Sequence, residues 1–208
     1  MTQLKALFLN ASLKSSEEPS NTAALAKAVS DIYDQEDVTS EFVRLADYHI
    51  PFGVREDMGD GDEWPQIFEK VIEADIVILA TPIWLGEKSS LAKVAIERLD
   101  GSSSVTNEKG QSIFYNKVAG VVVTGNEDGG KKAASSILYA LSHLGFIIPP
   151  NADTYWVGEA GPGPSFVEAE GLKNEFTKKH VEMLAYNTMH LARTFKSNPI
   201  PAVGNTME

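Results

Sequence analysis

Three stretches of this chain carry residue types that could hold a ligand. Ser12, Lys14, Ser15, Ser16, Ser20, Asn21 and Thr22 crowd the approach to a segment of helical spacing, Leu25, Ala28, Val29 and Ile32. Free backbone N–H groups and the positive end of a helix dipole suit an anion there, and hydroxyls add neutral donors. Lys14 is the one cation in the loop. Such a set points to a phosphate held mainly by dipoles; a polar surface loop ending in an N-cap accounts for the same residues. Pro82, Ile83, Trp84, Leu85 and Gly86 offer an apolar wall, with Trp84 either a platform for a flat ligand or a lid on the core. Thr124, Gly125, Asn126, Asp128, Gly129 and Gly130 let backbone approach a ligand closely, although an ordinary strand-to-helix turn has the same composition. Together the three stretches fit one ligand type, a flat ring with a phosphate tail.

Other chemistries find less support. No G-x-x-x-x-G-K-[ST] or G-x-G-x-x-G occurs, so the phosphate loop is neither a P-loop nor a dinucleotide turn. The absence of cysteine excludes disulfides, thiolate zinc sites, cysteine nucleophiles and cysteine-ligated iron–sulfur clusters. His49, His143, His180 and His190 show no metal-ligand spacing, and no G-x-S-x-G elbow is present. Asp60-Gly61-Asp62 lacks the glycine position and closing glutamate of an EF-hand, so it reads as a solvated acidic loop. Lys93 and Glu97, at i, i+4, read as a helix-surface ion pair. Tyr155 and Trp156 could approach a ligand or simply pack the core.

The elements that must position these loops alternate. Leu4–Asn10, Phe42–Leu45, the β-branched run Ile76–Ala80 and Val118–Val123 read as strands, and Phe146–Ile148 with Tyr155–Val157 as a fifth strand region. Ile76–Ala80 suits a strand buried on both faces, and Thr81-Pro82 is expected to end it and leave Trp84 in a loop. Helices are expected over about Asn21–Asp34 with Ser20 or Asn21 as N-cap, Pro65–Glu73, Ser89–Leu99, a segment stopped by Gly145, and Ser165–Phe195. Asp100–Asn116 is long for a connection and hints at a flap or subunit contact. The alternation predicts a doubly wound α/β sheet of five parallel strands, in which order 2-1-3-4-5 would bring the loops after strands one, three and four to one edge. One domain over 1–197 and a tail over 198–208 are expected.

Bulk properties narrow the partners. The 208 residues are 43% hydrophobic and carry a net charge of −11, which argues against nucleic acid and anionic membrane. Met1–Asn10 has no signal-peptide architecture, and no stretch nears the ~20 apolar residues of a membrane span. A cytoplasmic protein is the expectation.

The chain resembles the flavodoxin-like NAD(P)H-dependent FMN reductases. The resemblance rests on Asn10-Ala11-Ser12-Leu13-Lys14 with Ser20-Asn21-Thr22, on Ala74–Val77 through Thr81-Pro82-Ile83-Trp84, Gly86, Leu91, Lys93 and Glu97-Arg98, and on Thr124-Gly125-Asn126 with Gly129. It implies FMN phosphate at Ser12, Lys14, Ser20, Asn21 and Thr22, and ring contacts from Pro82, Ile83, Trp84, Leu85 and Gly86 and from Thr124, Gly125 and Asn126. Many members have arginine where Lys14 stands and tyrosine where Trp84 stands, which leaves phosphate affinity and substrate choice open. The implied activity is electron transfer from NAD(P)H, as co-substrate, through FMN to a small acceptor: a quinone, azo compound or flavin. No side chain is assigned as acid, base or nucleophile. A homodimer or homotetramer is implied as well. A flavodoxin-type electron carrier and a flavin-free interaction protein are the alternatives, because fold does not fix function.

Overall fold

The computed structural model describes residues 3–207. Its elements are β1 (Leu4–Asn10), α1 (Asn21–Asp34), β2 (Val38–Arg44), α2 (Trp64–Glu73), β3 (Ile76–Trp84), β4 (Glu87–Lys88), α3 (Ser90–Asp100), β5 (Val118–Gly125), α4 (Gly130–Leu144), β6 (Asp153–Val157) and α5 (Glu175–Ser197). The parallel sheet runs β2-β1-β3-β5-β6, with β4 antiparallel to the end of β3. The five parallel strands keep the expected arrangement; the correction is a sixth, antiparallel strand, β4, beside β3, so that the order reads 2-1-3-5-6 instead of 2-1-3-4-5. The added strand is the two-residue return of a hairpin, too short to leave a periodic signal.

The β3 run is apolar throughout because both faces are covered. Val77 and Leu79 join the core under α2, α3 and α4, while Ile76, Ile78 and Ala80 join the core under α1 and α5. Pro82 does not end β3, contrary to the sequence expectation. Ala80 accepts the Ala11 N–H, so Pro82, two residues on, turns its missing donor to the same side, where β1 has already ended at Asn10. On its other side β3 stays paired with β5 as far as Pro82 and Thr124. A proline is tolerated at such an edge position, and Trp84 therefore sits on the strand end, not in a loop.

Helix ends follow local chemistry. The Ser20 hydroxyl caps α1 by accepting the Ala23 N–H at 3.1 Å, and left-handed Gly145 ends α4. The last helix begins at Glu175, ten residues later than expected, because Asn174 supplies its N-cap. Before it, residues 158–170 form a turn-rich strap. Phe166 lies over Gly171 so closely that a Cβ there would stand 2.1 Å from the ring.

The acidic loop 48–63 is fixed from α3. The side chains of Arg98 and Asp62 have no solvent exposure and pair at 2.6 Å, and Arg98 also donates to the carbonyls of Pro51, Arg55 and Glu56. Burial alone would push the Asp62 carboxyl up. The Arg98 guanidinium and the N–H groups of Met58 and Trp64 more than offset that and hold it below the usual carboxylate range. The segment between α3 and β5 buries Phe114 against Phe146 and pairs Thr106 with Ser112. The tail from Asn198 lies along it, where the buried Gln111 amide donates to Ile200, Pro201 and Asn205. Both lie where β5 begins, at the opposite edge of the sheet from the loops that follow β1, β3 and β5.

Candidate flavin-binding site

Those three loops meet at the carboxyl edge around a cleft of about 530 Å3. Ser12, Lys14, Ser20, Asn21 and Thr22 line it from the first loop, Pro82, Ile83 and Trp84 from the second, and Thr124, Gly125 and Asn126 from the third. Leu85, Gly86 and Gly129, expected beside them, do not line it. Leu85 is 92% exposed at the tip of the β3–β4 hairpin, with Gly86 next to it. Both hairpin residues have positive φ, 50° and 77°, as a tight two-residue turn requires. Leucine is a poor residue for that conformation, and the Glu127 carboxylate steadies it by accepting the Leu85 N–H at 2.8 Å. Gly129 packs on Gly86 so tightly that a Cβ would fall 2.6 Å from the Gly86 backbone. These two glycines bring the second and third loops together and hold the cleft's shape from outside.

The polar end is a hydroxyl chain. The Asn10 carboxamide oxygen accepts the Ser12 N–H at 2.9 Å, the Ser12 and Ser20 hydroxyls share a hydrogen bond at 2.6 Å, and Ser20 caps α1. Thr22 and Thr124 share another at 2.7 Å, which ties the first loop to the third. The buried Asn10 Nδ2 has no partner among the described residues, an unusual condition for a donor under a loop. Lys14 reaches Glu18 at 3.2 Å on the exposed surface. In sum this end offers a helix N-terminus, neutral hydroxyls and one lysine.

The other end is aromatic. Trp84 is 55% exposed at the rim. Trp156 and Phe166 also line the cleft, packed edge to face with centroids 5.7 Å apart. The sequence leaves Trp156 open between approaching the ligand and packing the core, and it does both; Phe166 falls inside the overlong expected last helix. The Asn174 cap and Gly171 were the available signals for separating the two. Asn126 Nδ2 donates to the Gly163 and Pro164 carbonyls at 3.2 and 2.8 Å, and Asn21 Oδ1 accepts the Val167 N–H at 2.9 Å. Two site asparagines therefore latch the strap that carries Phe166. Three of the four histidines stand away from this chemistry, each stacked on an aromatic ring four residues earlier: Tyr139–His143, Phe176–His180 and Tyr186–His190.

A parallel α/β sheet whose carboxyl edge joins a hydroxyl-lined helix start to an aromatic cleft has the architecture of a flavodoxin-like fold. Residues 4–160 match the NADPH-dependent FMN reductase family, and the chain belongs to that family. FMN as cofactor and NAD(P)H as co-substrate, implied by the resemblance, are the pairing of this family. Among similar proteins, the 8-demethyl-8-aminoriboflavin-5'-phosphate synthase of Streptomyces davaonensis is 38% identical over 94% of this chain and 80% of its own length. A crystal structure of RosB with a bound intermediate, 8-demethyl-8-formylriboflavin-5'-phosphate, superposes with a TM-score of 0.88 at 38% identity, over 95% of this chain and 82% of that one. A divalent metal cation transporter MntH of Mycobacterium bovis is 44% identical over 93% of this chain, which spans only 29% of that protein's length. Among the described residues no helix is long and apolar enough to cross a membrane.

Proposed function

We propose that this chain binds FMN non-covalently and transfers electrons from NAD(P)H to a small acceptor, a quinone, azo compound or flavin. One observation carries the reading: a single cleft joins the hydroxyl-lined start of α1 to the rings of Trp84, Trp156 and Phe166. That donor set fits FMN. Neutral hydroxyls and helix N–H groups suit a phosphate without demanding more than one lysine, and the aromatic end suits a flat ring. Ser12, Lys14, Ser20, Asn21 and Thr22 would hold the phosphate. Pro82, Ile83, Trp84 and Thr124–Asn126 would hold the ring, with Leu85, Gly86 and Gly129 fixing the loops that carry it. When bound, the flavin supplies two-electron acceptance from the nicotinamide and delivery to the acceptor. The protein's part is to orient the ring, keep one face accessible and exclude water from the other. The exposed rim at Trp84 suits an accessible face, and a second subunit could complete that rim in a dimer or tetramer.

The test is anaerobic mixing of FMN-loaded protein with NADH and with NADPH. Rapid loss of the oxidised flavin absorbance, restored by a quinone, is the expected result. No reduction by either nucleotide would favour an electron carrier. The phosphate assignment has its own check. Ser12→Ala with Thr22→Ala should weaken FMN by at least about a hundredfold, since each charge-assisted hydrogen bond is worth roughly 1.5–3 kcal/mol, and should weaken riboflavin far less. Equal losses for the two ligands count against it.

A second reading is favoured by the 38% identity to a synthase named for an aminoriboflavin phosphate. Here FMN, or a relative altered at ring position 8, would be the compound converted rather than a resident cofactor. Mass analysis of the flavin after turnover separates the two: an unchanged flavin supports the reductase, an altered one the synthase-like reaction.

A further inference from the structure

One peptide group in the first loop is held from both ends by opposite charges. Arg44, the last residue of β2, donates through Nη1 to the carbonyls of Lys14 and Ser15, each at 3.0 Å. Asp47, three residues further on, accepts the Ser16 N–H at 2.8 Å. The Ser15–Ser16 peptide thus has Arg44 at its oxygen and Asp47 at its hydrogen. A trans peptide directs its C=O and N–H to opposite sides. The Lys14 carbonyl on Arg44 therefore turns the Ser15 N–H away from the guanidinium, and among the described residues that N–H has no hydrogen-bond partner in the protein. The Ser16 N–H, followed by the Ser16 hydroxyl, holds the Asp47 carboxyl below the usual carboxylate range, with Arg44 assisting, so the contact is charge-assisted at neutral pH. From the other end Asn10 fixes Ser12. The stretch from Ser12 to Ser16 is therefore splinted to strands β1 and β2 and not left as a free polar loop.

We propose that Arg44 and Asp47 are positioning residues for the phosphate of the bound flavin: they fix the peptides of residues 14–16 so that the cleft-lining stretch from Ser12 to Lys14 is in place before the anion arrives. This rests on the proposed phosphate site on the first loop. The physical basis is preorganisation, since donors already aimed at an anion need no ordering when it binds. Neither residue is among those lining the cleft, so each acts through the loop.

Asp47 allows the idea to be separated from simple electrostatics. Removing a carboxylate near a phosphate site should tighten phosphate binding if charge alone matters. The splint gives the opposite sign. We would measure FMN and riboflavin affinities by fluorescence quenching for the wild type, Asp47→Ala, Arg44→Ala and Arg44→Lys, and check folding by circular dichroism. Expected are a loss of FMN affinity of about tenfold for Asp47→Ala and for Arg44→Ala, and under about twofold for riboflavin, from the worth of charged hydrogen bonds. Arg44→Lys should recover part of the loss, because one ammonium can still serve both carbonyls. Tighter FMN binding by Asp47→Ala, or equal losses for FMN and riboflavin, would overturn the proposal. If Arg44→Ala does not fold, Asp47→Ala and Arg44→Lys decide it. A wild type that binds riboflavin as tightly as FMN would instead remove the phosphate site itself, and the splint with it.

Discussion

Residues 48–63 and residues 158–170 are both long, glycine- and proline-bearing connections, yet they are fastened by different physics. The first is held by an ion pair with no solvent exposure, Arg98 to Asp62, and by three backbone carbonyls gathered on the same guanidinium. The second is held by two neutral asparagine side chains, a backbone bond from the Gly158 N–H to the Gly125 carbonyl, and the buried Phe166, packed edge to face on Trp156. Freeing the first would leave a buried charge without its partner, which costs several kcal/mol. Freeing the second exposes carbonyls that water can satisfy, at about 1 kcal/mol per bond. The connection that does not line the cleft is thus locked, and the one that walls the cleft is more readily released. Elements that admit ligands are generally drawn from the less stable parts of a fold.

Breaking the locked loop should give the largest effect. Arg98→Ala should cost about 3–5 kcal/mol, because Asp62 would stay buried and unpaired. For a chain of this size that lowers the melting temperature by roughly 10 °C. A loss below about 1 kcal/mol in urea unfolding would show that the loop is not locked by charge. The same pair gives a pH signature. The folded-state pKa of Asp62 is depressed, so its contribution is present above the unfolded-state value of about 4 and is lost as pH falls through the folded value. The wild type should lose stability on acidification below about pH 4 more steeply than Arg98→Met paired with Asp62→Leu. Parallel acid limbs would remove Asp62 as a cause.

Releasing the strap should act on the ligand more than on the fold. Phe166→Ala removes the ring that clasps Trp156, and FMN release should quicken by about tenfold, the equivalent of ~1.4 kcal/mol. Global stability should fall by less than the 3–5 kcal/mol typical of a phenylalanine truncated in a core, because the strap can open locally. A drop in melting temperature as large as that of Arg98→Ala, with FMN release unchanged, would make the strap a part of the core.

How much of this could be read in the sequence depends on the kind of signal. The alternation of apolar runs located the parallel strands, although β2 begins at Val38, before the expected Phe42, and Phe146–Ile148 supplies only an isolated bridge; Ser20 and Gly145 marked their helix ends, because caps and periodicity are local properties. The three loops were legible because glycines, hydroxyls and Trp84 are chemically distinctive. The β3–β4 hairpin was not, since Leu85-Gly86 is an unusual turn pair and the return strand has two residues. Phe166 was misread because an apolar residue beyond a glycine–proline turn resembles the start of a helix. Arg44 carried no signal at all: its contacts with the first loop come from the pairing of β2 with β1, which brings it opposite Asn10. Contacts created by strand order lie outside the reach of local pattern.

The smallest expected effect tests which role Asn126 plays. Its position suggested contact with the ring, while its Nδ2 is engaged with the strap carbonyls of Gly163 and Pro164. Asn126→Ala should quicken FMN release only a few-fold, since net hydrogen bonds of ~0.5–1.5 kcal/mol are lost and the exposed carbonyls regain water. That result alone fits either role, so the informative measurement is a double-mutant cycle with Phe166→Ala. If Asn126 works as a latch, the strap is already loose in the Phe166→Ala background, and removing Asn126 there adds little. If Asn126 works on the ring, the two sites are independent and their effects on release add to within about 0.5 kcal/mol. Additive effects would detach Asn126 from the strap and leave Asn21 with Phe166 as its fastenings. Non-additive effects would identify one cooperative wall, opened as a unit.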